Sequence, residues 1–376
     1  LWVAYLYRKS KFKKSNFIYG HTKSKKFLTN NYININLKNT KSKLKSTTNE
    51  YANKLIKELN NKNFSIVEIH NRPQLLSKIS NKVKSRFIFY FHNDPISMKG
   101  SKTRKERLNI LKSVEKLVFV SDWVRERFFV DIDQKLKTKT EIVYPSVNKQ
   151  SIVNKQKNII FVGRLNHSKG YDLFKDAIIR ILDEFPKWNA YSIGNEDRRS
   201  IYINHPRHKE LGFIRHKETL KLLNKSEIAV VPSRWEEPFG RTALEASSCG
   251  CATIISSRGG LKETTDSAII LKKLDSYNIY LEIKKQKKKN KNRKKYQLKG
   301  RQNIKHLISD NTKIIDEIRE DCVPFYNINF IRKKLKIINI YNQGQKLNHR
   351  LYNISLGKKF TNGFVRNGHD VIEISD

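Results

Sequence analysis

The sequence predicts a doubly wound α/β protein of two lobes. Apolar runs of strand length alternate with segments of helical periodicity, and most of those runs end in a polar or glycine-bearing cluster. Two such series are separated by the polar stretch Val147–Lys157. Parallel strands covered on both faces read as near-continuous apolar runs, and their loops gather a binding site at the carboxyl edge of the sheet.

Residues 1 to about 64 carry the weakest pattern. Leu1-Trp-Val-Ala-Tyr-Leu-Tyr7 reads as a strand, Tyr32-Ile-Asn-Ile-Asn-Leu37 as another, and residues 49–59 as a helix. From Phe64 the alternation sharpens. Ser65-Ile-Val-Glu-Ile-His70 is a strand ending in His70-Asn-Arg-Pro73, and Arg86-Phe-Ile-Phe-Tyr-Phe91 a second ending in His92-Asn-Asp-Pro95. Lys116-Leu-Val-Phe-Val-Ser121 is a third and leads into a helix at residues 123–128. Glu141-Ile-Val-Tyr-Pro-Ser146 then closes the first lobe, taken as residues 1–148.

The second lobe, residues 149–325, opens with the strand Asn158-Ile-Ile-Phe-Val-Gly-Arg-Leu165. A helix over 171–185, strands at 190–194 and 211–214, and a helix over 217–224 follow. The strand Ile228-Ala-Val-Val-Pro232, a helix from Thr242, a strand at 252–256, the pair Gly259-Gly260 and a last strand at 268–271 complete it. The lysine run 284–295 reads as a solvated helix face or loop, or as a membrane-facing patch. Residues 311–321 form another helix.

The tail, residues 333–376, repeats the opening of such a lobe: strand Leu335-Lys-Ile-Ile-Asn-Ile-Tyr341, a turn at Gln343-Gly344, a helix at 351–364, and Gly368-His-Asp-Val-Ile-Glu-Ile374. It is expected to begin a second domain; completion of the first lobe's sheet and a bare tail helix are the other readings. Met98 is the only methionine, so the chain is expected to lack its native start.

Hydrophobic residues make up 38% of the chain, enough for a core because they fall in coherent runs. The formal net charge is +42. Lysine filling solvated positions accounts for most of it, with contact to an anionic membrane as the sharper reading. Specific nucleic-acid binding is disfavoured, since no basic helix interleaved with aromatics forms a recognised module. Cys249, Cys251 and Cys322 make no disulfide framework and point to a reducing compartment. No apolar run reaches the ~18 residues of a membrane span.

The chemistry concentrates in Glu237-Pro-Phe-Gly-Arg-Thr-Ala-Leu-Glu245. Strand, Pro-Phe-Gly loop and helix start in succession make an anion-binding site, where free N–H groups and the positive helix end face the crevice. Glu237 stands in the loop and Glu245 about one turn into the helix, so one carboxylate can meet a sugar hydroxyl while the other, deeper, accepts from ribose hydroxyls. An ordinary capped helix is the competing reading. Asp131-Ile-Asp133 mimics a metal-binding D-x-D but follows a charged helix and reads as solvated.

Ser233-Arg-Trp-Glu-Glu-Pro-Phe-Gly-Arg-Thr-Ala-Leu-Glu-Ala-Ser247 resembles the E-x7-E segment of the family 4, retaining, nucleotide-sugar glycosyltransferases of the GT-B fold. Gly163-Arg-Leu-Asn-His-Ser-Lys-Gly170 matches that family's G-R-L-x3-K-G pattern. The resemblance implies two Rossmann-like lobes facing across a cleft, the first truncated, with a second glycosyltransferase-like domain beginning in the tail. It implies that Glu237 contacts the donor sugar, that Gly163, Arg164 and Lys169 hold the diphosphate, and that Glu245 binds the ribose. The backbone of Phe239, Gly240, Arg241 and Thr242 would line the sugar-phosphate loop. His92 would face the donor sugar from the first lobe, with Asp94 a weaker candidate beside it and His70 and Arg72 shaping the acceptor side.

The implied activity is hexosyl transfer with retention from a UDP- or GDP-sugar to a glycan, lipid-linked or polysaccharide hydroxyl. No metal or cofactor is expected, since cations and amides stand where a metal would. The setting implied is bacterial cell-envelope polysaccharide synthesis, in the cytoplasm or at the inner face of its membrane. A GT-B sugar phosphorylase or sugar-phosphate synthase, and a non-catalytic basic polyanion-binding protein, are the alternatives. Two departures stand out: the family's opening glycine-rich loop is missing from the first fifty residues, and Lys272-Lys273 replaces a glycine after the last donor-lobe strand.

Overall fold

The computed structural model describes residues 2–22, 24, 27, 29–37, 47–151, 153–197, 201–304, 306–323, 336–341, 356–366 and 370–375. The chain divides into two compact units, Leu1–Cys322 and Val323–Asp376. Among the described residues it is α/β, and every strand pairing is parallel.

In the first lobe, β1 (Ile18–Gly20) and β2 (Tyr32–Asn34) form a separate pair, and β3 (Ile66–His70), β4 (Arg86–Phe91), β5 (Lys116–Phe119) and β6 (Thr140–Ile142) form a sheet in that order. Its helices are α1 (Trp2–Lys9), α2 (Thr47–Lys62), α3 (Pro73–Ile79), α4 (Arg104–Ser113) and α5 (Asp122–Phe128). Phe89, Phe91, Phe119 and Phe128 pack in the core between sheet and helices. The chain's opening is a helix, not the strand its apolar run predicts. Val3 and Leu6, one turn apart, pack with Ile88, Tyr90 and Ile318, and that burial decides the conformation.

The second lobe holds β7 (Gln156–Val162), β8 (Asn189–Ile193), β9 (His208–Glu210), β10 (Ser226–Val231), β11 (Ala252–Ile255) and β12 (Ile269–Ile270) in the order β12-β11-β10-β7-β8-β9. The chain runs outward from β7 to β9, returns beside β7 as β10, and proceeds the other way. The loops after β7 and β10 therefore flank the point where strand order reverses, the place where open α/β sheets bind ligands. The short strand predicted at 211–214 lies at His208–Glu210 instead, because the chain turns at Gly212, whose φ is 60°.

Helices α6 (Tyr171–Glu184), α7 (His216–Lys225), α8 (Arg241–Ser248), α9 (Ser276–Lys288) and α10 (Asn290–Gln302) complete this lobe. The lysine run is the corner between α9 and α10. Helix α11 (Ile308–Cys322) returns to the first lobe, where Ile315, Ile318 and Cys322 pack against Ile88, Tyr90 and Val118. A polar network fixes it there: Arg319 grips Glu68 through two bonds of 2.8 and 2.7 Å, and Asp316 accepts from Ser10 Oγ at 2.7 Å.

The second unit contains β13 (Lys336–Tyr341), α12 (Leu356–Arg366) and β14 (Asp370–Ser375), with β13 and β14 paired in register from Lys336–Asp370 to Tyr341–Ser375. The predicted turn at Gln343-Gly344 and the dipeptide Gly368-His369 lie outside the described residues. Among the described residues no helix is long and apolar enough to cross a membrane.

Candidate functional site

The loop after β7 carries Gly163, Arg164 and Lys169, and the loop after β10 carries Glu237 and Gly240. They meet because Gly170, at φ 70°, lets the first loop close on the second: a Cβ there would stand 2.0 Å from the Pro232 carbonyl oxygen. Lys169 Nζ then lies 2.6 Å from Glu237 Oε1 and 4.4 Å from the ring centroid of Trp235. Glu237 is 7% exposed. A buried carboxylate needs such a cation, and the ammonium's other protons still serve an oxyanion. Arg164 is exposed on the same loop.

The loop itself is braced. Arg234 binds Asp172 near the start of α6 through two 2.6 Å bonds, and Gly260 N donates to Glu237 O at 2.7 Å. Gly240, at φ 93°, turns the chain into α8 with its Cβ position against Leu261. The first N–H groups of α8, at Arg241 and Thr242, have no intrahelical acceptor and are available to an anion. Glu245, 7% exposed, accepts from Arg241 at 2.9 Å and from His216 Nε2 at 3.0 Å.

Phe239 has a second role that its position in the motif does not announce. Its side chain is buried in the first lobe's core cluster, with rings of Tyr144 and His306 at 5.8 and 5.6 Å. Beside it, Ser121 Oγ donates to the Pro238 carbonyl. Glu263 accepts from the backbone N–H groups of Asp122 and Trp123 at 2.7 and 2.9 Å, so a second-lobe carboxylate caps a first-lobe helix. The loop holding Glu237 is thus part of the lobe interface.

In the first lobe, β3 and β4 end side by side and present His70 and His92. Their rings stack, with His70 Nδ1 3.0 Å from His92 Nε2. Asn71, at φ 59°, accepts from the His92 and Asn93 backbone N–H groups through Oδ1. Burial pushes His70 down to about 4 and His92 to about 3, so both imidazoles are neutral at neutral pH. Asp94 is committed elsewhere: it caps the turn at Pro95 and binds Arg127 at 3.2 and 3.0 Å. Arg72 stacks over Tyr51, and Asp133 caps a turn by accepting from Lys135 N.

The structure therefore joins Lys169 to Glu237 and Arg241 to Glu245, and pairs His92 with His70 within its own lobe. Sequence reading missed Trp235, His216 and Glu263. Trp235 lies inside the motif Ser233–Ser247. Nothing local marks the other two, whose partners are 29 and 140 or more residues distant.

A doubly wound lobe with its acidic and cationic groups at the strand-order reversal, returned to its partner lobe by α11, is the GT-B architecture of glycosyltransferases. Residues 145–303 match the family model Glycosyl transferases group 1. Over 117 residues it is 38% identical to an uncharacterized glycosyltransferase of Methanocaldococcus jannaschii, covering 29% of each protein. Over 189 residues it is 25% identical to spore coat protein SA of Bacillus subtilis, covering 42% of this chain and 50% of that one. These matches span half or less of the relatives' length. Among solved structures it is similar to Anabaena HepE in complex with UDP, at a TM-score of 0.63 and 15% identity, covering 72% of this chain and 82% of that one. At that identity the likeness carries the fold alone.

Proposed function

We propose that this chain transfers a sugar from a nucleoside diphosphate sugar to an acceptor hydroxyl with retention of configuration. The observation that carries the reading is the Lys169–Glu237 pair of 2.6 Å at the reversal of strand order. Lys169 and Arg164 neutralise the departing diphosphate, assisted by the amides from Phe239 to Thr242, and no metal is required in that role. Glu237 orients the sugar, Glu245 the ribose, and neutral His92 meets the sugar from the first lobe. The departing phosphate takes the acceptor proton as the acceptor attacks from the same face, so no protein nucleophile is assigned.

The donor class is a UDP- or GDP-sugar; UDP is the nucleotide that the Anabaena structure of the same fold holds. The acceptor class is a glycan or a lipid-linked hydroxyl of the cell envelope, handled at the cytoplasmic face of the membrane. Exposed Lys288, Lys289, Lys291, Lys294 and Lys295 at the α9–α10 corner suit an anionic surface. The residues from β3 to β6 serve the acceptor, those from β7 to β12 the donor, and the tail unit opens a further lobe of the same kind.

Release of UDP or GDP from a panel of nucleotide sugars tests this directly. Glu237→Gln should remain folded and lose about 10²-fold or more in kcat. Turnover that survives the substitution, or a parent chain that binds polyanions and hydrolyses no donor, would return the chain to a binding role. Turnover that requires inorganic phosphate would make it a phosphorylase.

A further inference from the structure

Two helices of the second lobe converge on one carboxylate oxygen. His216 is the first residue of α7 and Arg241 the first of α8. Both helices follow parallel strands, so both N-termini stand at the carboxyl edge of the sheet. The imidazole Nε2 lies 3.0 Å and the guanidinium 2.9 Å from the same atom, Glu245 Oε1. A carboxylate only accepts, so both groups donate. The Glu245 side chain is 9% exposed, His216 30% and Arg241 38%.

Two donors on Oε1 fix the plane and rotation of the carboxylate. They leave Oε2, for which no hydrogen bond is found among the described residues, as the acceptor for a ligand. A carboxylate oxygen held rigid in a mostly buried position favours a partner that offers hydroxyl donors, and disfavours one that lacks them. Arg241 alone would not define the plane: an i,i+4 pair on a helix face is flexible and weak. The bond from α7 supplies the second constraint.

We propose that His216 is a positioning residue that locks Glu245 for ribose, making the site selective for ribonucleotide over deoxyribonucleotide donors. This rests on the assignment of Glu245 to the ribose. The competing role is a structural tie between α7 and α8, which would affect stability without regard to the sugar of the nucleotide.

Isothermal titration separates these roles with two ligand pairs, UDP against 2′,3′-dideoxy-UDP and GDP against 2′,3′-dideoxy-GDP. The parent chain should prefer the ribonucleotide of the pair it binds, and Glu245→Gln should abolish most of that preference. His216→Ala should cut the preference about five- to tenfold while changing dideoxynucleotide affinity less than about twofold. His216→Gln, which keeps a donor near the Nε2 position, should recover part of it. If His216→Ala weakens both members of the pair equally, or neither, while Glu245→Gln still removes the preference, the proposal fails and the ribose reading stands. If Glu245→Gln leaves the preference intact, or neither pair binds, the ribose reading fails and takes the proposal with it.

Discussion

Ser121 of the first lobe donates its hydroxyl to the carbonyl of Pro238, the residue after Glu237. The same hydroxyl accepts from Val124 N at 3.1 Å as the cap of α5. One side chain thus couples the first lobe's helix to the loop that carries the second lobe's buried carboxylate. Glu263 completes the coupling by holding the first two N–H groups of that helix, at Asp122 and Trp123.

Glu263→Ala should therefore act at a distance. Loss of a helix cap costs about 1 kcal/mol, and in a protein of this size that lowers the melting temperature by about 1–2 °C. Because the cap also sets the lobe interface, kcat/KM should fall while the affinity for free nucleoside diphosphate stays near that of the parent. Calorimetry and steady-state kinetics on Glu263→Ala and Glu263→Gln check this, the glutamine variant falling between.

Lys169 and Glu237 should behave as a coupled pair. Lys169→Met leaves a carboxylate that is 10% exposed without its cation, and Glu237→Gln leaves the cation without its carboxylate. A double-mutant cycle by urea denaturation should give a coupling of about 1–2 kcal/mol. Lys169→Met should also weaken nucleoside diphosphate binding by about tenfold or more. Additive single effects would show that the two groups do not interact.

The stacked imidazoles of His70 and His92 make stability depend on pH in a defined direction. Their folded-state values of about 4 and about 3 lie below the ordinary histidine value of about 6.5. Between these limits the unfolded chain binds more protons, so stability rises with pH and is lost as pH falls from about 6.5 toward 3. Urea midpoints across that range should slope less in His92→Asn than in the parent chain.

The three thiols should be inert while the chain is folded. Cys249, Cys251 and Cys322 are at most 3% exposed. Burial, and the neighbouring Cys251 thiol, push Cys249 up to about 12, and burial pushes Cys322 up to about 11. A thiol reagent at pH 8 should titrate none of them within the time of mixing, and all three in denaturant.

The fold was legible where the signal is local. The apolar runs at Arg86–Phe91 and Ile228–Pro232 fall on β4 and β10, because continuous burial on both faces leaves no room for alternation. Glycine positions 170 and 240 mark turns that only a residue without a side chain makes easily. The opening heptad is ambiguous because seven mostly apolar residues satisfy either period, and packing against β4 and the returning α11 selects the helix.

From the order of its residues alone this chain specified its strand-and-helix alternation, its glycine turns and the eight-residue spacing between Glu237 and Glu245. Tertiary structure decided which charges meet. Lys169 reaches Glu237 across 68 residues, His216 reaches Glu245 across 29, and Glu263 caps a helix 140 residues earlier. Dihedral preferences and periodic burial act over a few residues and are written in the sequence. Pairings of this range depend on strand order and on how two lobes pack, which no local pattern encodes.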